Sequence, residues 1–375
     1  MIEFAAGVSA KLNIRLQQVE AVLNLLSEGS TIPFIARYRK DKTGGLDEVQ
    51  IQQIQDEAKA IKEFTERKIF IEKTITEQGK MTEALQAKID KATTIAELED
   101  IYLPYKPKRK TKAQTAKENG LEPLSNLLLE QKEVDIKAEA EKFINENVKD
   151  VDAALQGARD IIAEMINEDA ELRASLRNYF EKEATIQSKV VADKEAEAIK
   201  YKDYFDFSEL ISKIPSHRIL AILRGFLEGF LRVNIAPEEE VALEIIEKKF
   251  VIAKNACSEQ ITKASKDAYK RLLQPGLETE FRTALKTRAD EDAIAVFAEN
   301  LRQLLLSSPV GSKKTLAIDP GYRTGCKVVC LDEKGELKKT ALIFPHEKSR
   351  EWSDGELIKD LVKRYDVEVI AIGDG

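Results

Sequence analysis

Apolar residues Leu16, Val19, Val22, Leu23 and Leu26 recur at three- and four-residue intervals up to Gly29, the spacing of one helix face closed by a glycine stop. A second helix is predicted directly after it. Pro33 suits a first helical turn, where the N–H it lacks has no partner anyway, and the run from Phe34 to Lys40 ends at Gly44-Gly45. Between Leu46 and Gly79 there is no Pro or Gly, which predicts one long helix packing along a single side. Thr94 and Glu97 have the spacing of a capping box, so a helix should run through Leu98 and Ile101 until Pro104 stops it. Pro104 and Pro107 are expected to keep the next stretch extended. Helical patterns then fill most of the chain to about residue 306. Ser216 is expected to cap one helix, Glu238 to Glu240 open another after Pro237, and Pro275-Gly276 marks a break.

After Ser307-Ser308-Pro309 the period changes from helical to extended. Leu316-Ala317-Ile318 reads as a short strand and Lys327 to Leu331 as a second. A turn over Glu333 to Glu336 leads into a third at Lys339 to Phe344. A helix is predicted from about Ser353 to Tyr365, followed by a buried-looking strand at Val367 to Ile372. Strand, strand, strand, helix, strand is how ribonuclease-H-like domains begin. That order is diagnostic only together with the residues of the first turn, Asp319 to Gly325; with them, the expected fold class is mainly α, a multi-helical N-terminal region followed by the first part of an α/β ribonuclease-H-like domain.

Length and composition constrain the role. At 375 residues the chain is expected to be modular. It is 43% hydrophobic and 33% charged, and no apolar run approaches the roughly 18 to 20 residues that cross a bilayer. No membrane partner is expected, and the start Met1-Ile2-Glu3-Phe4-Ala5 lacks the pattern of a secretory signal, which predicts a cytoplasmic location. Cys257, Cys326 and Cys330 read as reduced thiols, with no neighbouring Cys or His to complete a zinc site. The net charge of −7 opposes polyanions overall, so any nucleic-acid binding must be local.

Two basic stretches are candidates. From Tyr102 to Lys117 there are six Lys or Arg and no Asp or Glu. Within it, Lys106, Lys108, Arg109, Lys110 and Lys112 form a phosphate-contact candidate, and Tyr102 and Tyr105 are positioned in sequence to stack on bases. The competing reading is a solvated loop. Arg37, Arg39, Lys40 and Lys42 form a smaller cluster, which also fits cations at a helix C-terminus. Asp319, in Asp319-Pro320-Gly321-Tyr322-Arg323-Thr324-Gly325, ends the first predicted strand, where ribonuclease-H-like nucleases place a metal-binding carboxylate; Asp-Pro-Gly is equally ordinary turn chemistry. Asp374 is the one other carboxylate in reach, so Asp319 and Asp374 are at most a vestigial metal pair. His217 and His346 lack companions, and no phosphate-binding glycine loop of Walker type or Ser-His-Asp arrangement is present, so no cofactor and no catalysis are expected.

Four stretches carry a family resemblance: Ile32-Pro33-Phe34-Ile35-Ala36-Arg37-Tyr38-Arg39-Lys40, Tyr102-Leu103-Pro104-Tyr105-Lys106-Pro107-Lys108-Arg109, Pro215-Ser216-His217-Arg218, and Leu316 through Gly325. In this order the chain resembles the Tex family of bacterial transcription accessory proteins. The resemblance implies an N-terminal helical region with a helix-turn-helix element over residues 1–200, a central helical region over 201–310, and a YqgF-like ribonuclease-H-fold domain over 311–375, expected to stop at its fourth strand. It implies a transcription-associated scaffold without catalysis of its own. Its expected partners are nucleic acid, held in the family mainly by an OB-fold domain beyond these residues, and RNA polymerase. A metal-dependent nuclease or resolvase, and a purely protein-binding helical module, are the alternatives. Family members generally lack the full acidic set of the related nucleases, and fold kinship does not transfer chemistry without the site.

Overall fold

The computed structural model describes residues 2–107, 110–321, 324–345 and 351–373. The chain divides into two compact units, 1–293 and 294–375.

In the first unit the periodic stripe forms the helix Leu16–Ser27, which buries Val19, Val22, Leu23 and Leu25. They join Ala5, Val8, Ile35, Ala36 and the early part of the helix Glu48–Glu77 in a first core. That helix is 30 residues long and opens on a capping box in which Asp47 accepts from the Gln50 N–H and the Gln50 side chain accepts from the Asp47 N–H. Its later residues Ile71 and Ile75 serve a second core with Ile89, Leu98 and Tyr102. The expected capping box of Thr94 and Glu97 starts the helix Ile95–Tyr102. Beyond it the chain is not extended at once: Leu103–Tyr105 makes a 3-10 turn, with Pro104 inside it, and the extended backbone begins at Lys106.

The largest core, from Ala113 to Ala289, gathers the helices Val151–Asn167, Ala170–Glu183 and Ala256–Ala268 among others. It also contains something the helical reading missed. Strands β1 (Thr185–Val190), β2 (Asp206–Leu210) and β3 (Leu231–Ala236) form an antiparallel sheet in the order β2-β1-β3. Only Ile186 and Ser188 of β1 are buried, so the inward half of its alternation is half polar and gives little periodic signal.

Two further expectations are corrected. Pro275-Gly276 does not break the helix: a π-helical turn, Tyr269–Leu273, passes from Ala256–Ala268 into Gln274–Leu305, and both residues sit in the first turn of the latter. A wider turn rearranges backbone bonding just where Pro275 has no N–H to give. Ser216 is not a cap either; it is the first residue of the helix Ser216–Leu227, and its hydroxyl donates to the Asp292 carboxylate.

In the second unit, β4 (Thr315–Asp319), β5 (Cys326–Leu331), β6 (Leu337–Ile343) and β7 (Val369–Ile372) form a sheet in the order β6-β5-β4-β7. The β4–β7 pair is parallel and the others antiparallel. The helix Glu351–Arg364 crosses between β6 and β7, and its Leu357, Ile358 and Leu361 pack on Leu316, Val328 and Cys330. The element order agrees with the predicted class. All three cysteines are free and buried.

Candidate nucleic-acid interface

The helix Ile32–Tyr38 is anchored by buried Ile35 and Ala36, and its helical spacing turns Phe34, Arg37 and Tyr38 outward. The Phe34 and Tyr38 rings lie 5.4 Å apart at 44°. The Arg39 guanidinium stacks 4.8 Å from the Phe34 ring centre, and its Nη1 donates to the Tyr38 carbonyl at 2.9 Å. Arg37 reaches the Glu48 carboxylate only at 4.0 Å, with both side chains largely in solvent. Among the described residues no carboxylate pairs with Lys40.

The basic strip is less uniform than its sequence. Lys106 and Lys112 are exposed and, among the described residues, form no salt bridge, although the Lys112 charge favours the ionised form of the Asp160 carboxyl, on which burial and then Arg271 act more strongly. Lys110 lies 3.1 Å from Glu118 and, with Gln114, holds that carboxyl below its usual range. Lys110 is thus partly neutralised. Thr111 caps the helix Lys112–Glu118 by accepting the Gln114 N–H at 3.0 Å. Lys108 and Arg109 lie outside the described residues. Tyr102 cannot stack on a base: it is 3% exposed, in the second core against the edge of Phe70. The missed signal was its place four residues after Leu98, on the same helix face. Tyr105 is partly buried against that core.

The two clusters do not merge. Arg37 meets Glu48, the first residue of the long helix, whereas the Tyr105 carbonyl accepts from Gln78, just past its last. Thirty helical residues at about 1.5 Å each set these anchor points roughly 45 Å apart.

In the second unit Asp319 is exposed at the end of β4. The following loop closes tightly, since a Cβ on Gly321 would stand 2.5 Å from the Gly325 carbonyl oxygen and Gly325 has a φ of +79°. The last strand ends beside the first: Ile372 is in register with Ile318, and the Gly373 N–H donates to the Ile318 carbonyl at 2.9 Å. Asp374 itself lies outside the described residues, as does His346. Among the described residues no three His, Cys, Asp or Glu side chains converge to hold a metal. The nearly buried Asp354, which the sequence reading passed over, accepts the Phe344 N–H at 2.6 Å and pins the end of β6 to the crossover helix.

Three family models match this chain in sequence order: the Tex-like protein N-terminal domain over residues 2–76, the Tex central region over 131–297, and the Tex protein YqgF-like domain over 313–375. The transcriptional accessory protein Tex of Neisseria gonorrhoeae is 42% identical over 374 residues, covering 98% of this chain. The chain belongs to the Tex family. Protein tex of Bordetella pertussis is 38% identical over 388 residues, 99% of this chain. The human S1 RNA-binding domain-containing protein 1 is 31% identical over 389 residues, 98% of this chain and 38% of its own length. The chain spans about half the length of the two bacterial relatives, 49% of each. In this Tex-family chain the Arg37 cluster falls within the N-terminal match and Asp319 within the YqgF-like match. The strip from Lys106 to Lys112 lies between the first two matched ranges. No helix among the described residues is long and apolar enough to cross a membrane.

Proposed function

We propose that this Tex-family chain acts in the cytoplasm as a transcription accessory scaffold that holds nucleic acid without cutting it, and presents helical surfaces to RNA polymerase. The observation that carries the reading is the pair of exposed cation clusters at the two ends of one long helix. Lys106 and Lys112 at one end, and Arg39 and Lys40 at the other, form no salt bridge among the described residues on a chain of net charge −7, although Lys112 feels the Asp160 carboxylate at longer range. Free cations of this kind release counterions from a polyanion, whereas paired ones gain little. Lys108, Arg109, Lys110 and Arg37 complete the assignment. Relatives lend support in their names: one is a transcriptional accessory protein and another an S1 RNA-binding domain-containing protein.

A second reading, a metal-dependent nuclease, is favoured by one observation, the registration of Ile372 beside Ile318, which brings the end of β7 to Asp319. A pair of carboxylates is still a partial set, because each of two metal ions needs several oxygen ligands to be held against water.

Equilibrium binding of the chain to single-stranded RNA and to duplex DNA, from roughly 50 to 200 mM salt, tests the proposal. Binding that weakens steeply with salt is expected. No binding to either at the lowest salt rejects the nucleic-acid assignment, and co-sedimentation with RNA polymerase core then decides whether a purely protein-binding role replaces it.

A further inference from the structure

We infer that Tyr38 is a stacking platform for an unpaired base, with Arg37, Arg39 and Lys40 holding phosphates of the same strand. The inference rests on the nucleic-acid reading above and narrows it, at this cluster, to single-stranded polynucleotides. Three observations converge on it.

The first is exposure. Tyr38 is 65% exposed and Phe34 37%, although their helix is firmly seated through Ile35 and Ala36. The two rings are adjacent and form one exposed apolar patch rimmed by charge, the kind of surface that marks an interaction site, unlike singly exposed apolar residues.

The second is order. The Tyr38 ring is braced by Phe34, and Phe34 carries the Arg39 guanidinium, which also bonds to the Tyr38 carbonyl. The outer face of Tyr38 is thus a flat, preorganised surface, and a base landing on it has little side-chain freedom to remove. At the N-terminal end of the same helix a depression of about 540 Å³, lined by Ile32, Pro33, Glu48, Val49, Gln52 and Gln53, offers a mostly apolar floor with one carboxylate at it.

The third is charge. From Arg37 to Lys42 the chain carries Arg37, Arg39, Lys40 and Lys42 against Asp41, and Glu48 faces Arg37 at 4.0 Å, so four cations outweigh two carboxylates and the rim favours a polyanion. Ring faces are sequestered within a duplex, whereas a single strand presents bases and phosphates together, and aromatic platforms with cationic rims suit it.

The test uses the whole chain, a fluorescein-labelled oligothymidylate and a duplex of matched length. Tyr38→Ala is expected to weaken single-strand binding about tenfold while leaving duplex binding and the salt slope unchanged. Tyr38→Phe, which keeps the ring, should bind as the parent does. An iodouracil-substituted strand should photocrosslink to Tyr38. Unchanged single-strand binding in Tyr38→Ala, or equal loss on the duplex, overturns the inference while the wider reading stands. Tyr38-dependent binding of an acidic, leucine-bearing peptide, with no such dependence for the oligonucleotide, assigns the surface to a protein and also overturns it. A chain that binds neither strand at low salt removes the wider reading and this inference together.

Discussion

Arg173 Nε lies 2.6 Å from Asp100 Oδ1, across seventy-three residues of sequence. Arg177 joins from the next turn, its Nη2 2.9 Å from Asp100 Oδ2, while its Nε bonds to Glu280. One carboxylate therefore ties Ile95–Tyr102 to Ala170–Glu183, and through Arg177 to Gln274–Leu305. Asp100 is 5% exposed, so removing it leaves the nearly buried Arg173 guanidinium without a carboxylate, while Arg177 keeps Glu280. Asp100→Ala should cost about 3 kcal/mol of stability, the scale for breaking a buried ion pair from one side. Denaturant unfolding checks this, and a loss under about 1 kcal/mol would mean that water replaces the carboxylate.

Tyr102 separates folding from binding. Tyr102→Ala should destabilise the chain by about 3 to 5 kcal/mol, as for other large buried side chains. Tyr102→Phe should be close to neutral and should bind nucleic acid as the parent does. A binding defect in the folded Phe variant would restore a contact role to this residue.

These two positions show what the sequence made legible. The long helix, the capping box of Thr94 and Glu97 and the strands β4 to β7 depend on neighbours within a few residues, so periodicity and spacing reach them; the box of Asp47 and Gln50 is just as local, but the sequence reading passed over it. The burial of Asp100 depends on arginines more than seventy positions away, and nothing near it in sequence announces them. Gln131 is similar: its side chain bonds to Phe250, Ile252, Ala253 and Ser258, a polar knot made only by the folded chain. At the candidate site the cations were legible as a composition bias, but their freedom was not. Glu118 partly neutralises Lys110 from the next helix turns, while Lys106 and Lys112 form no salt bridge among the described residues.

Glu228 gives a pH prediction. It accepts from Lys200 Nζ at 2.7 Å, Tyr201 Oη at 2.8 Å and Arg224 Nε at 2.9 Å. The Lys200 ammonium, with Tyr201 and Arg224, holds its carboxyl down to about 2, against an ordinary 4.5. A depressed carboxyl adds stability that is complete above the unfolded value and disappears as pH falls through the folded one. Thermal unfolding should therefore show Glu228→Gln less stable than the parent at neutral pH, with the gap closing between pH 4.5 and about 2. A gap that stays constant across that window contradicts the assignment.

The scaffold reading predicts no cleavage. Purified chain incubated with branched DNA, duplex DNA, RNA–DNA hybrid and single-stranded RNA in manganese should leave all four intact, because Asp319 and Asp374 together underfill a two-metal site. Cutting that disappears in Asp319→Asn would overturn the scaffold reading in favour of the nuclease.

The most direct test of the central claim is the salt dependence of nucleic-acid binding by the parent, Lys106→Ala/Lys112→Ala and Arg39→Ala/Lys40→Ala. Each phosphate contact contributes roughly 0.7 to 0.9 to the slope of log affinity against log salt. Each double variant should therefore flatten the slope by about 1.4 to 1.8. Slopes identical to the parent in both variants would return the two clusters to solvated surface and contradict the account.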